Sequence, residues 1–199
     1  MDQREAWNRI GASFDATRQR SWDHVDAFLD GLPAGARVLD VMCGNGRHLR
    51  PGMVGLDWSR PLVAAAGPAA AMGDATRLPF PDACFDAAIC VAGLHGLPDP
   101  AGRAASLREM HRVLRPGGVA QVTVWSRDAP RFQGTAGDGP VDVVVPWRRD
   151  GHDVPRTYHL YTTGSLRAAC EAAGFHVLAV QGVAIASDEA DNLVATLRR

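Results

Sequence analysis

Three aspartates follow short apolar stretches of the sequence, and their spacing could serve a nucleotide-type cofactor. Asp40 ends "VLD" directly before a glycine-bearing turn, and Asp57 ends "VGLD" 17 residues later. A carboxylate at the end of a second strand can accept hydrogen bonds from both hydroxyls of a ribose. Asp74, in "GDATRL", could bind an adenine amino group while the backbone amide of Ala75 meets a ring nitrogen. This pattern predicts a nucleotide site at the carboxyl ends of neighbouring strands.

The turn after Asp40, "MCGNG" at residues 42–46, lacks the spacing of a dinucleotide-binding turn. Such a turn favours GxGxxG, in which the backbone approaches a pyrophosphate. Here an acid precedes the glycines instead. A carboxylate at this point attracts a cofactor that carries a positive sulfonium and an amine.

Alternating strand and helix patterns predict the elements that position these residues. Apolar spacing indicates a helical stretch over 3–31, and further helices are predicted over 104–118, which ends in "RPGG", and over 162–175. Strands are predicted over 37–42, 53–57, 69–75, 85–94, 119–125, 176–185 and 192–198, the last two joined by a turn at 186–191. The order implies an α/β fold with a mostly parallel sheet and an antiparallel final hairpin.

Length and composition restrict the class of protein. The 199 residues suit one domain, with 46% hydrophobic and 22% charged residues. We divide it into a helical cover (1–34), a cofactor-binding core (36–126), a polar substrate-side insertion without regular structure (127–157) and a final helix with a strand hairpin (158–199). No apolar run is long enough for a membrane helix, and the charged N-terminus does not resemble a signal peptide, so we expect a cytoplasmic protein.

Charge and cysteine content narrow the choice of ligands. The net charge is −1, and all 21 basic residues are arginines. No overall field attracts nucleic acid, although local basic patches could still bind RNA. The four cysteines (Cys43, Cys84, Cys90 and Cys170) form no CxxC pair, so we expect neither a zinc site nor a disulfide framework.

The order of these motifs resembles the class I S-adenosylmethionine-dependent methyltransferases. The shared features are the acid and glycine turn, the second acid, "GDA", the "FD" strand and "LRPGG". The resemblance implies a Rossmann-like seven-stranded fold that binds S-adenosylmethionine. The implied cofactor-binding residues are Asp40, Met42, Cys43, Gly44, Asn45, Gly46, Asp57, Trp58, Asp74, Ala75 and Val91. The family's turn usually reads acid–x–Gly–Cys–Gly, so Met42 stands where a glycine is usual.

Other stretches resemble the tRNA wobble-uridine carboxymethyl methyltransferases over about residues 5–180. They include "FDATRQRSW", "CGNGRHL", "REMHRVLRPGG", "DVVVPW" and "RTYHLYTTGSL". That family converts a 5-carboxymethyl group on the wobble uridine to its methyl ester. The resemblance implies catalytic roles for Arg18, His95, Trp125 and Arg156, and substrate binding by Trp22, Trp147, Arg148, Tyr158 and His159. The family usually has two histidines at "LHG", and here the second is Gly96.

The implied chemistry fits these residue types. A carboxylate is already anionic at neutral pH and needs no strong general base. Arginine recognises a carboxylate through two parallel hydrogen bonds, and Arg18 and Arg156 are the candidates. Trp125 or Trp147 could stack on a flipped base of the anticodon loop.

The family resemblance also implies a partner, and two other functions stay open. Eukaryotic and archaeal members are similar in needing a small zinc-binding activator subunit, which would add a strand at the edge near residues 69–72. One alternative is a methyltransferase that acts on a small molecule, since a fold does not fix its substrate. The other is a non-catalytic cofactor-binding subunit, which Met42 and Gly96 would favour.

Overall fold

The computed structural model describes residues 2–135, 137–185 and 191–199. Its helices are α1 (Gln3–Asp15), α2 (Asp23–Asp30), α3 (Arg60–Ala66), α4 (Pro100–Val113) and α5 (Thr163–Ala172). Its strands are β1 (Val38–Val41), β2 (Val54–Asp57), β3 (Ala70–Met72), β4 (Phe85–Val91), β5 (Leu114–Trp125), β6 (Val141–Val144), β7 (Trp147–Arg149), β8 (His152–Val154), β9 (Thr157–Leu160), β10 (His176–Val183) and β11 (Asn192–Arg198).

Seven strands form one sheet in the order β10-β11-β5-β4-β1-β2-β3. Strands β3, β2, β1, β4 and β5 are parallel, and β11 pairs antiparallel with both β5 and β10. The predicted fold class is therefore confirmed, including the antiparallel finish. The turn predicted at 186–191 lies, except for Asp191, outside the described residues.

The central strands are apolar on both faces because helices cover both sides of the sheet. Every residue of β1 is buried, and β4 (FDAAICV) is buried at all positions except one. Such continuous apolar runs are typical of parallel strands in an α/β sheet. None of the described helices is long and apolar enough to cross a membrane.

The single helical stretch predicted over 3–31 was wrong at its centre. Helix α1 ends at Asp15 and α2 begins at Asp23, so residues 16–22 form a connecting segment without helical structure. The Thr17 hydroxyl donates to the Phe14 carbonyl at 2.8 Å. Such local side-chain bonds compete with helical hydrogen bonding. Trp22 is in an extended conformation, with φ −101° and ψ 136°.

The prediction of an irregular insertion over 127–157 was also wrong in part. Strand β6 pairs with β9, and β7 and β8 form a hairpin. Two residues join the hairpin strands, Asp150 (φ 51°) and Gly151 (φ 75°). Asp-Gly is the sequence that favours a two-residue hairpin turn with positive φ at both positions. The dipeptide "DG" was thus a signal for the hairpin that sequence reasoning missed.

Two other predicted boundaries differ near the end of β4. The strand ends at Val91 rather than at residue 94, and Leu94–Gly96 form one turn of 3-10 helix. Helix α4 begins at Pro100, where Asp99 caps it by accepting from the Gly102 amide at 2.7 Å. It ends at Val113, so the "LRPGG" residues are extended and belong to β5.

Candidate active site

A cleft opens at the carboxyl ends of β1 and β4. Because β1 lies between β2 and β4, the strand order reverses direction at this point. Such a switch point is where open α/β sheets bind ligands. The cleft encloses about 640 Å³ of empty space, its open mouth included. Of the predicted cofactor residues, those that line it are Asp40, Met42, Cys43, Gly44, Asn45, Asp57, Trp58 and Val91.

Asp40 lies in the wall of this cleft with an unsatisfied carboxylate. Both of its oxygens are buried and accept no hydrogen bond from the described residues. Burial raises the pKa of Asp40 well above its ordinary value, and the nearby charge of Asp57 raises it further. An unpaired buried carboxylate is costly without a cationic partner. A cofactor with an amine and a sulfonium would supply that partner, so Asp40 fits S-adenosylmethionine.

Asp57 closes β2 with a carboxylate that backbone amides hold in place. One oxygen accepts from the Gly44 amide at 2.9 Å and the other from the Ser59 amide at 2.8 Å. Burial raises the pKa of Asp57, although these amide bonds lower it in part. Each oxygen retains a free lone pair for a ribose hydroxyl.

The glycine turn has the backbone geometry that its residue types predict, with one exception. Gly44 and Gly46 have positive φ, 58° and 76°. A Cβ at Gly46 would lie 2.8 Å from the Cβ of Ala66, so the turn also packs tightly on α3. Met42 has φ 58° without being glycine, which costs about 1–2 kcal/mol for a residue with a Cβ.

Three predicted cofactor residues, Gly46, Asp74 and Ala75, lie outside the cleft lining. Asp74 is exposed beside a separate shallow depression, where one oxygen accepts from the amide and the hydroxyl of Thr76 at 2.8 and 2.7 Å. Ala75 is buried in the main hydrophobic core. Trp58 borders both the depression and the cleft. An adenine site at Asp74 and Ala75 stays a prediction.

The connecting segment (residues 16–22) is fastened to the glycine turn by side chains of that turn. The Asn45 amide donates to the Asp15 carboxylate at 2.7 Å and to the Arg18 carbonyl at 2.8 Å. The Ser21 hydroxyl lies 2.7 Å from His48 Nδ1. These contacts hold the connecting segment beside the glycine turn, and Phe14 is the residue of "FDATRQRSW" that lines the cleft.

Sequence reasoning missed Arg47 and His48, which also line the cleft. The Arg47 guanidinium lies 4.3 Å from the Trp22 ring centroid, and burial lowers the Arg47 pKa to about 10. Burial lowers the pKa of His48 to about 3, so its ring is neutral. Both follow the glycine turn within two residues, and this proximity was the available signal.

Arg156 is a buried cation inside a cage of aromatic rings. Arg156 is only 6% exposed, and its Nε has no hydrogen-bond partner among the described residues. The guanidinium carbon lies 5.4, 5.1 and 5.2 Å from the ring centroids of Trp7, Trp147 and Tyr158. No carboxylate of the described residues forms an ion pair with it. Arg156 itself does not line the cleft, but Trp7, one of the rings around it, does.

Arg18 lies against a different aromatic residue of the cleft wall. Its guanidinium carbon is 5.0 Å from the ring centroid of Phe14, which lines the cleft. Its hydrogen bonds among the described residues go to the Thr17 carbonyl and hydroxyl, both at 3.1 Å. The structure therefore places both predicted substrate arginines beside the cleft, each on an aromatic ring.

His95 lies beneath the cleft and does not line it. It is 1% exposed and stacks on Trp125, with the ring centroids 5.0 Å apart. Its Nδ1 accepts from the Trp125 amide at 3.3 Å. Burial lowers the pKa of His95 to about 3, and the charge of Arg131 adds to this effect. His95 is thus a neutral ring that packs against Trp125 and Tyr158.

The other predicted substrate residues have their own partners. The Arg131 guanidinium carbon lies 4.4 Å from the Trp125 ring centroid. Trp147 donates to the Ser13 hydroxyl at 2.9 Å and so joins the β7–β8 hairpin to α1. Arg148 is exposed and pairs with Asp153, and His159 Nδ1 lies 2.6 Å from Asp142. Their substrate contacts stay predictions.

Sequence and structure comparisons agree with this geometry. A family described as "Methyltransferase domain" matches residues 39–122. A putative methyltransferase of Encephalitozoon cuniculi is 38% identical over 174 residues, covering 83% of this chain and 82% of the relative. A tRNA (carboxymethyluridine(34)-5-O)-methyltransferase of Schizosaccharomyces pombe is 31% identical over 201 residues, covering 87% and 88%.

A solved structure gives the same fold. It is a complex between the Haloferax volcanii Trm112 methyltransferase activator and a putative methyltransferase. The match has a TM-score of 0.73, 19% identity, and covers 99% of this chain and 97% of that one. At this identity the match supports the fold, whereas the two relatives above establish the family. The chain therefore belongs to the class I S-adenosylmethionine-dependent methyltransferases, in the family that includes the S. pombe relative.

Proposed function

We propose that this enzyme methylates the carboxylate of 5-carboxymethyluridine at the wobble position of tRNA and forms the methyl ester. The S. pombe relative is named for a reaction on carboxymethyluridine 34. The observation that carries the proposal is Arg156, a buried cation beside the cleft with no carboxylate partner among the described residues. Such a cation favours an anionic substrate group over a neutral one.

The aromatic cage explains how a cation can stay at this position without an acid. The rings of Trp7, Trp147 and Tyr158 offer their negative faces to the guanidinium. Aromatic faces stabilise the charge less than a carboxylate would, so the hydrogen-bonding capacity of Arg156 stays available. A substrate carboxylate can use that capacity through two parallel hydrogen bonds.

His95 and Tyr158, two buried groups of the substrate side, are not poised to remove a proton at neutral pH. The pKa of His95 is lowered to about 3, and burial raises the pKa of Tyr158 to about 12. Neither side chain changes its protonation state near pH 7. Esterification of an ionised carboxylate releases no proton, whereas methylation of a hydroxyl or an amine does. The site therefore suits a nucleophile that is already an anion.

The remaining roles are binding of the cofactor and orientation of the substrate carboxylate. S-adenosylmethionine supplies, when bound, a methyl group on a positively charged sulfur. Asp40 would hold the positive charges of this cofactor and Asp57 its ribose hydroxyls. Arg156 and Arg18 would orient the substrate carboxylate, and orientation alone can contribute several powers of ten to the rate.

We extend the proposal to an activator subunit at the edge of the sheet. Among the described residues, strand β3 pairs only with β2, so its other side offers free backbone groups for another strand. Met72 at this edge is 42% exposed, which is unusual for a large apolar side chain. The similar H. volcanii methyltransferase is in complex with its Trm112 activator.

The reaction can be tested through the chemistry of its product. The enzyme is incubated with S-adenosylmethionine and tRNA that carries 5-carboxymethyluridine, and the nucleosides are analysed by mass spectrometry. We expect a methylated nucleoside that mild alkali converts back to the acid, because only an ester is hydrolysed. Equal methylation of tRNA with unmodified uridine, or an alkali-stable product, would contradict the proposal.

Arginine variants connect that reaction to the site. Arg156→Ala is expected to lower kcat/KM for this tRNA by about a hundredfold or more. Arg167→Ala is the matched control, since this exposed arginine of α5 pairs with Glu171 at 3.7 Å.

For the activator, Met72→Arg should abolish co-purification with a Trm112-type subunit and leave S-adenosylhomocysteine binding intact. Unchanged co-purification would exclude the β3 edge as the docking site.

A further inference from the structure

Met42 and Gly93 pack against each other on two neighbouring loops of the cofactor site. Met42 belongs to the loop after β1, and Gly93 to the loop after β4. Both residues line the cleft. A Cβ built on Gly93 would lie 2.6 Å from the Cβ of Met42, 3.2 Å from its sulfur and 3.3 Å from its Cε. Real Cβ atoms do not approach another atom to 2.6 Å.

At positions 42 and 93 the residue type differs from the one that the backbone conformation would lead us to expect. Gly93 has φ −100° and ψ −51°, a conformation open to any residue. Met42 has φ 58°, the left-handed region that favours glycine. The glycine at position 93 is therefore required by the nearby Met42 and not by its own backbone.

We infer that Met42 and Gly93 are a matched pair that sets the width of the cofactor site, with Gly93 as a positioning residue. The nearest atom to a new Cβ is the Cβ of Met42, which no side-chain rotation can move away. Any larger residue at 93 must push one loop from the other. These loops follow the strands that carry Asp40 and Val91, so the shift would displace the cleft wall next to both residues.

The pair also explains how this chain tolerates a methionine at a glycine position of the cofactor turn. The close approach between the loops needs one residue without a Cβ. A glycine at either position meets that need, and here position 93 supplies it. The inference concerns cofactor binding and does not depend on the nature of the methyl acceptor.

The test is a set of variants at both positions, measured by titration calorimetry with S-adenosylhomocysteine and by thermal melting. Gly93→Ala should weaken binding by about tenfold or more, as expected for overpacking. Met42→Gly alone is the reference for the double variant, because it removes a side chain that lines the cleft. The double variant Met42→Gly/Gly93→Ala should bind within about threefold of that reference.

A control variant separates the Cβ contact from the rest of the methionine. Met42→Ala/Gly93→Ala keeps the Cβ of residue 42, so it should stay as weak as Gly93→Ala alone. If Gly93→Ala does not fold, the two double variants are compared by thermal melting. Folding of Met42→Gly/Gly93→Ala together with unfolding of Met42→Ala/Gly93→Ala supports the pair. Normal binding by Gly93→Ala, or equal behaviour of the two double variants, would overturn the inference.

Discussion

The two sides of the cleft carry opposite charges and are built in different ways. The cofactor side has Asp40 and Asp57, which end adjacent parallel strands and are fixed by the sheet. The substrate side has Arg18 and Arg156, which lie 138 positions apart and are held by aromatic rings. A cationic cofactor and an anionic substrate would thus meet between complementary walls. The acidic residues are thus held by the regular sheet, and the basic residues by the segments that cover it.

The largest effect is expected when the charge of one side alone is removed. Asp40→Asn should weaken S-adenosylmethionine binding by about a hundredfold, because it removes the buried charge that faces a cation. The loss should be smaller for S-adenosylhomocysteine, which lacks the positive sulfur. Titration calorimetry with both ligands measures the difference.

Arg156→Ala is the opposite control for this experiment. It should leave both affinities within about twofold, since Arg156 belongs to the substrate side. An equal loss for the two ligands in Asp40→Asn would show that Asp40 does not respond to the sulfonium charge. A large loss in Arg156→Ala would show that the two sides are not separate.

A smaller effect is expected where the two sides are joined. Asp15 accepts from the Asn45 amide and helps to hold the connecting segment that carries Arg18. Asp15→Ala should lower kcat/KM for tRNA by about tenfold, because Arg18 is then less well oriented. S-adenosylhomocysteine affinity should change by less than about threefold, since Asp15 does not line the cleft.

The conservative variant Asp15→Asn tests the cause of that effect. Its amide oxygen can still accept from Asn45, so activity should return to within about twofold of the parent. Equal losses in Asp15→Ala and Asp15→Asn would assign the effect to the charge of Asp15 instead of its hydrogen bond.

The cofactor side could be predicted from sequence because its geometry is local. Asp40 and Asp57 each end an apolar strand, and parallel neighbours bring such ends together. The substrate side could not be predicted in the same way. The cage of Arg156 combines residues 7, 147 and 158, and only the folded chain brings them together. The family resemblance indicated Arg156 as a site residue, but it did not predict the aromatic rings around it.

The departures from prediction have related physical causes. The helix predicted over 3–31 is interrupted where Asn45, from a distant turn, binds the Arg18 carbonyl. The requirement for Gly93 comes from the side chain of Met42, 51 positions earlier, so the residue types around position 93 carried no sign of it. By contrast, Asp150-Gly151 was a local signal, and the hairpin there could have been predicted.

Acid should destabilise the substrate side through its buried histidine. The pKa of His95 falls from about 6.5 when unfolded to about 3 in the folded chain, because of burial and the charges of Arg131, His159 and Arg156. A lowered folded-state pKa means stability that is present above pH 6.5 and is lost as the pH falls toward 3.

His95→Gln keeps an acceptor for the Trp125 amide and removes this titration. The slope of unfolding free energy against pH should decrease by up to about 1.4 kcal/mol per pH unit in this window. Denaturant titrations between pH 6.5 and 4 measure it, and an unchanged slope would contradict the assignment.

The cofactor side should respond to pH in the opposite direction. The folded-state pKa of Asp40 is raised above its ordinary value of 3.8 by burial and by Asp57. Its contribution to stability is therefore present below pH 3.8 and is lost as the pH rises through the folded-state pKa. In the cofactor-free protein at pH 7, Asp40→Asn should raise Tm by about 3 °C, because no charge is then buried. The gain should shrink as the pH is lowered to 4, and saturating S-adenosylmethionine should reverse it by stabilising the parent more strongly. A Tm gain that is equal at both pH values would contradict this assignment, because it would mean that folding does not shift the pKa of Asp40.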